Sequence, residues 1–228
     1  MRTQTIILLF AITLISVSTE AQISLGLKSN IIFNDTEFSS GTIDLDKTVK
    51  SMQGYSIGGF AEYELNSNWS LSSELLYKHI GFQIVESTSF GLFGIDVPIG
   101  ATLKTTVNYI EMPVLFKYRH KLGNVQAFVE AGPSINYAIN GRVNTTANSF
   151  LDIDINETEL KLDTESYNRI NTAANIGLGI TYPYSQDLTM SAGIRYTKDL
   201  SDSVELPIVD AAVRNNSIGI GISIGKRF

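Results

Sequence analysis

"SIGIGISIGKRF", residues 217–228, closes the chain and decides how the rest of it is read. Successive side chains of an extended strand point to opposite faces. Ile218, Ile220, Ile222 and Ile224 therefore share one face, and Ser217, Gly219, Gly221, Ser223 and Gly225 share the other. A strand with one solvated face usually carries Lys, Glu, Thr or Gln on that face, whereas glycine there weakens the strand and gains nothing from water. Inside a narrow closed barrel, by contrast, small residues make room for a few long ones. The ending reads as isoleucine facing lipid and glycine facing a crowded interior.

The same period of two recurs along the chain. From Gly54, "GYSIGGFAEYEL" sets Tyr55, Ile57, Ala61, Tyr63 and Leu65 against Ser56, Gly58, Phe60, Glu62 and Glu64. Strands are expected over 22–33, 54–65, 69–82, 105–118, 125–137, 167–182, 188–198 and 214–228, with Gly132, Gly177, Gly179 and Gly193 on the small-residue face. The connections alternate. Residues 66–68, 119–124 and 183–187 are short and turn-like, while 34–53, 83–104, 138–166 and 199–213 are long. This predicts an all-β, eight-stranded, antiparallel up-and-down transmembrane barrel, with short periplasmic turns on one rim and long extracellular loops on the other. Two sets of aromatic residues fit its two membrane interfaces: Tyr63, Trp69, Phe116, Tyr118, Tyr182 and Tyr184 near the turns, and Tyr55, Tyr77, Tyr137 and Tyr196 near the loops.

Composition narrows the class further. The 228 residues include 18 Gly and no Cys, which removes disulfides and thiolate chemistry, and a net charge of −6 argues against a nucleic-acid partner. Arg2, the apolar run from Ile6 to Val17, and Thr19 and Ala21 before Gln22 have the form of a cleaved secretory signal, giving residues 1–21 as signal peptide and 22–228 as one barrel domain. Nothing after Gln22 approaches the roughly 20 consecutive apolar residues of a membrane-spanning helix, so any spanning is done by strands. The expected location is the outer membrane of a Gram-negative cell.

Several segments resemble a known family. "LSSELLYKHIGF" (71–82), "VNYIEMPVLFKYRH" (107–120), "FVEAGPSINY" (128–137), "GIRYTKDLSD" (193–202) and the terminal Phe look like the small outer-membrane β-barrel family of Bacteroidota, labelled PorT-like or porin-family and akin to OmpA/OmpX-type transmembrane barrels. Tyr109, Glu111, Pro113, Lys117 and Tyr118 match its Y-x-E-x-P-x-x-x-K-Y strand, and Gly132 with Pro133 matches its GP element. The long acidic third loop departs from the family pattern. The resemblance implies an outer-membrane barrel without implying one activity. It also implies that the last strand, with Ile220, Ile222, Ile224 and Phe228, is the insertion signal read by the barrel-assembly machinery.

Charge placement suggests what fills the interior. Most of the 23 acidic residues lie in the long connections, yet Glu62, Glu64, Glu74, Glu111 and Glu130 fall on the small-residue face, with Lys28, Lys78, Lys117 and Arg195. Five acids and four bases in a narrow bore are expected to pair, since an unpaired buried charge is costly. Glu62, Glu74, Lys78, Glu111, Lys117, Glu130 and Arg195 form the expected lumen network, with Phe60 and Phe128 also inward. By this count, losing Arg195 leaves excess Glu, and any conductance that results is expected to favour cations.

Catalytic, metal and cofactor sites are not expected. His79 lies toward the loop rim on the apolar face and His120 in a turn on the opposite rim, so the two do not share a site. "DIDINETE" (152–159) spaces Asp152, Asp154 and Asn156 like the front of a calcium loop but lacks the following Gly and the distal Glu, and its alternation with Ile153 and Ile155 fits a hairpin arm above the membrane. If that arm reached the membrane, the strand number would change. The function expected first is a non-enzymatic barrel that contacts an envelope or extracellular partner through its acidic loops. A small channel is the alternative, and a loop-rim enzyme a distant third. The surrounding lipid is the remaining expected contact.

Overall fold

The computed structural model describes residues 23–39, 49–92, 95–148, 153–159, 169–201, 204–206 and 211–228. The expected signal peptide, and most of the acidic residues of the long connections, lie outside the described residues or their described side chains. Every regular element among the described residues is a strand, numbered here in chain order.

Eight strands form the barrel wall: β1 (Ile23–Ser39), β3 (Gln53–Glu64), β4 (Trp69–Leu92), β5 (Ile95–Leu122), β6 (Val125–Asn148), β8 (Ile170–Pro183), β9 (Leu188–Asp199) and β11 (Ala211–Arg227). Each pairs antiparallel with its neighbour in that order. The sheet closes where β11 returns to β1, in register from Ser24 opposite Arg227 to Ser39 opposite Ala212. Closure leaves the eight-stranded wall without an open edge, the condition for crossing a bilayer with strands.

Three short strands stand outside this circuit: β2 (Val49–Ser51), β7 (Ile153–Glu159) and β10 (Val204–Leu206). They pair with the upper ends of β4, β6 and β11. The segment with calcium-like spacing is thus β7, an arm laid along residues 142–147 of β6, and the barrel stays at eight strands.

The long connections proved more regular than expected. β4 and β5 continue through residues expected as loop, pairing out to Leu92 opposite Ile95, and β6 runs on to Asn148. Once a hairpin rises beyond the membrane both faces meet water, and the contrast between the two faces that marks a strand in sequence disappears while its hydrogen bonds persist. One turn is also tighter than expected. Leu122 pairs with Val125, so only Gly123 and Asn124 connect β5 to β6, with Gly123 at φ 63° as a two-residue hairpin turn requires. His120 and Arg119 therefore belong to β5.

The two faces differ as the C-terminal stretch suggests. Along β8 and β11 exposed and covered residues alternate, with Ile176, Leu178 and Ile222 at 61%, 61% and 68% exposure on the outer wall. Contiguous apolar surface on this scale is a lipid-facing band. Trp69 stacks on Phe116 at 4.7 Å between ring centroids and lies equally close to Tyr118, forming part of the belt beside the short turns. On the inner wall glycines clear space for neighbours. A Cβ at Gly179 would lie 2.6 Å from the Phe128 ring, and one at Gly177 would lie 3.0 Å from the Glu130 carboxylate.

Candidate functional site: the charged lumen

Strand parity delivers the charges inward, and the barrel's circumference brings them together. Arg195 on β9 holds Glu74 on β4 through Nη1 and Nη2, both at 2.7 Å. Those two strands are four steps apart in either direction around the eight-stranded circuit, so this ion pair spans the full bore. The same guanidinium donates from Nε and Nη2 to Glu130 Oε1 on β6, at 3.0 and 2.6 Å. Such fork-shaped, charge-assisted contacts are the strong ones, and they fix the geometry of both carboxylates.

Lysines complete the centre. Lys28 on β1 donates to Glu74 at 2.9 Å and lies 4.0 Å from Glu130. Lys117 on β5 donates to Glu62 on β3 at 2.8 Å, lies 3.6 Å from Glu130, and has its ammonium 4.8 Å from the centre of the Phe128 ring. Ser70 donates to the other oxygen of Glu62 at 2.8 Å. Lys78 and Glu111 form a separate pair at 3.6 Å on adjacent strands nearer the loops. Neutral polar side chains share the upper lumen with this pair. Asn30 donates to Ser56 at 2.7 Å, Asn175 to Ser134 at 3.0 Å, and Thr197 to Asn175 at 2.8 Å.

Toward the short turns the network extends past the residues expected from sequence. Arg119 lies 3.0 Å from Glu64 and 3.5 Å from Glu62, and Arg227 pairs with Glu64. The sequence reading puts Arg119 in the 119–124 turn, and Arg227 lies within the expected strand 214–228, with the parity of Ser217, but outside the expected lumen set. The hairpin signal of Gly123–Asn124 was the available clue, because it extends β5 and gives Arg119 the parity of Lys117. Asp199, placed in a connection, is the last residue of β9 and is buried, with the parity of Arg195. The inner wall thus carries six bases (Lys28, Lys78, Lys117, Arg119, Arg195, Arg227) and, with Asp199, six acids among the described side chains. This replaces the count of four bases and five acids. Removing Arg195 would leave an acidic excess of one, not two.

The Y-x-E-x-P-x-x-x-K-Y strand becomes a column down the inside of β5. Tyr109, Glu111 and Pro113 are buried, Lys117 is half-buried in the network, and Tyr118 points outward to Trp69. The bridges of β5 lapse opposite Pro113 on its β4 side, as expected for a residue with no N–H. Pro133 faces outward beside half-buried Gly132. Ile220, Ile222, Ile224 and Phe228 line the outer wall, and the Phe228 N–H donates to Ile23 O at 2.9 Å as the last rung of closure. Voids beside the network have volumes of about 30, 30 and 20 Å³, room for a water molecule each. His79 and His120 lie at opposite ends of the wall and reach no common cavity.

A closed strand barrel with an apolar outer band and ion pairs across its bore defines the class of integral outer-membrane barrels. The chain belongs to the outer membrane protein beta-barrel domain family, which it matches over residues 18–205. No curated protein matches the sequence. Among solved structures it is similar to the outer membrane protein OprG of Pseudomonas aeruginosa, at 12% identity and TM-score 0.48, covering 91% of this chain and 95% of that one. It is also similar to the N-terminal barrel domain of Pseudomonas aeruginosa OprF, at 14% identity and TM-score 0.39, covering 92% and 100%. A third is Ail, the attachment invasion locus protein of Yersinia pestis, at 16% identity and TM-score 0.31, covering 91% and 97%.

Proposed function

We propose that the protein is a non-enzymatic outer-membrane scaffold, its lumen plugged by the ion network and its extracellular hairpins and acidic loops presenting a binding surface to an envelope or extracellular partner. The observation that carries this reading is the Arg195–Glu74 pair, which joins opposite walls of the bore and is braced by Lys28 and Glu130. A side-chain bridge across an eight-stranded barrel occupies the path a solute would take. The rising hairpins of β4 to β7 hold loops on a rigid frame, where binding residues usually reside.

The finer assignment, to the PorT-like barrels of Bacteroidota with a cleaved signal at 1–21, rests on the motif column of β5 and the GP element of β6. In the same reading the C-terminal strand is the signal for the assembly machinery, with Phe228 its final anchor. Planar-bilayer recording tests the plug. Wild-type protein should show no steady conductance, and large stable channels would replace the scaffold by the small-channel reading. Pull-down from envelope extract, with and without the loop between β6 and β8, tests the partner.

A further inference from the structure

On the outside of the wall, away from the lumen, three polar side chains form a ladder that neither plug nor loops explain. His79 on β4 stands opposite Asn108 on β5, and Asn108 opposite Asn140 on β6. His79 Nδ1 and Asn108 Oδ1 are 2.6 Å apart, and Asn108 Nδ2 donates to Asn140 Oδ1, also at 2.6 Å. Because an amide oxygen only accepts, the imidazole carries its proton on Nδ1. Both bonds then point the same way, leaving the Asn140 amide nitrogen at one end of the ladder and His79 Nε2 at the other.

A backbone irregularity makes this ladder. The β5–β6 register slips by one between Tyr109 and Asn108, so Ile139 is an extra residue and Asn108 meets Asn140. Without the slip Asn140 would have lumen parity. The bulge therefore turns an amide out to the membrane side, as bulges do where a side chain must be re-aimed.

Height and surroundings indicate what meets it. Ten residues of β4 separate Trp69 in the turn-side belt from His79. At about 3.3 Å per residue and a tilt of about 40°, this is roughly 25 Å, the height of the apolar band of such barrels. The ladder thus lies at the headgroup level of the outer leaflet. Tyr55 stacks on the His79 ring at 5.3 Å and lies 6.4 Å from Tyr77. Tyr77 and Tyr137 flank Ile110 in the row beneath. Above, the outward residues of β5 and β6 include Thr106, Lys104, Arg142 and Asn144, with Glu159 and Glu157 of β7 in register with the last two. Aromatic faces beside fixed amides suit a polyhydroxylated ring, whose C–H face packs on tyrosine while its hydroxyls pair with amide and imidazole.

We propose that the His79–Asn108–Asn140 ladder and the tyrosines around it form a docking face for the saccharide headgroup of an outer-leaflet glycolipid. The test is native mass spectrometry of the detergent-solubilised barrel with two probes, lipopolysaccharide lacking its O-chain and phosphatidylglycerol, an anionic lipid without the amino-sugar headgroup. Wild type should retain the glycolipid at about tenfold lower concentration than the phospholipid, the worth of one or two net hydrogen bonds. Asn108→Leu with Asn140→Leu should lose that preference while still changing gel mobility on heating. His79→Phe, which keeps the ring on Tyr55 and removes the Nδ1 donor, provides a milder second variant. Equal retention of both probes by wild type, or unchanged preference in a closed variant, would overturn the proposal. So would dimers that disappear on the same substitutions, since they would make the ladder a protein interface.

Discussion

Replacing Arg195 by Met removes the side chain that ties Glu74 to the opposite wall of the lumen through two hydrogen bonds. It deletes contacts of 2.7 and 2.7 Å to Glu74 and of 3.0 and 2.6 Å to Glu130. Breaking a buried pair by removing one partner costs about 3–5 kcal/mol, most of it the charge left behind. Here neither carboxylate is wholly abandoned, because Lys28 remains 2.9 Å from Glu74 and Lys117 remains 3.6 Å from Glu130. The expected loss therefore falls at the low end, about 3 kcal/mol. The double substitution Arg195→Met/Glu74→Met removes the partly stranded charge as well, and should be more stable than the single by at least about 1 kcal/mol. Urea titration in micelles reads this through the emission of Trp69, the only tryptophan in the chain, with free energies from linear extrapolation. A single variant within about 0.5 kcal/mol of wild type, or a double variant no better than the single, would refute the idea that the spanning pair organises the lumen.

Other outcomes follow from the same geometry. Heated and unheated samples should migrate differently on a gel, because a wall closed by β1 and β11 opens all at once; identical migration with full trypsin sensitivity in detergent would argue against closure. Ile222, 68% exposed on the outer wall, should cost about 2–4 kcal/mol as Arg, while Ile220→Val should cost little; equal folding of Ile222→Arg into liposomes would invert the face assignment. Gly179→Val should impair folding because its Cβ would press on the Ala192 backbone carbonyl and lie 2.6 Å from the Phe128 ring, whereas Gly219→Ala, with no atom nearer than 3.9 Å, should fold normally in the same assay. Conductance unmasked by Arg195→Ala should be only weakly cation-selective, since Arg119 and Arg227 leave an acidic excess of one; strong cation preference in a reversal-potential measurement would exclude those two from the lumen.

The sequence by itself determined the class of fold and which way most wall residues within the expected strands face. Parity is a covalent property of an extended chain, so the Ile/Gly contrast of residues 217–225 and the inward set from Lys28 to Arg195 could be read without knowing any partner. It also determined that the interior is charged. Tertiary structure alone decided which charges meet. Arg195 and Glu74 are 121 residues apart in sequence, and only closure puts them across one bore. Strand ends were likewise settled in three dimensions, because beyond the membrane both faces are wet and periodicity carries no signal; Arg119, Asp199 and the upper hairpins were therefore misplaced as connections. The His79–Asn108–Asn140 ladder was invisible for a sharper reason: one bulged residue, Ile139, reverses the parity from which its orientation would have been inferred. Inward and outward follow from counting by two, while contact follows from register, tilt and closure, which no local stretch of chain contains.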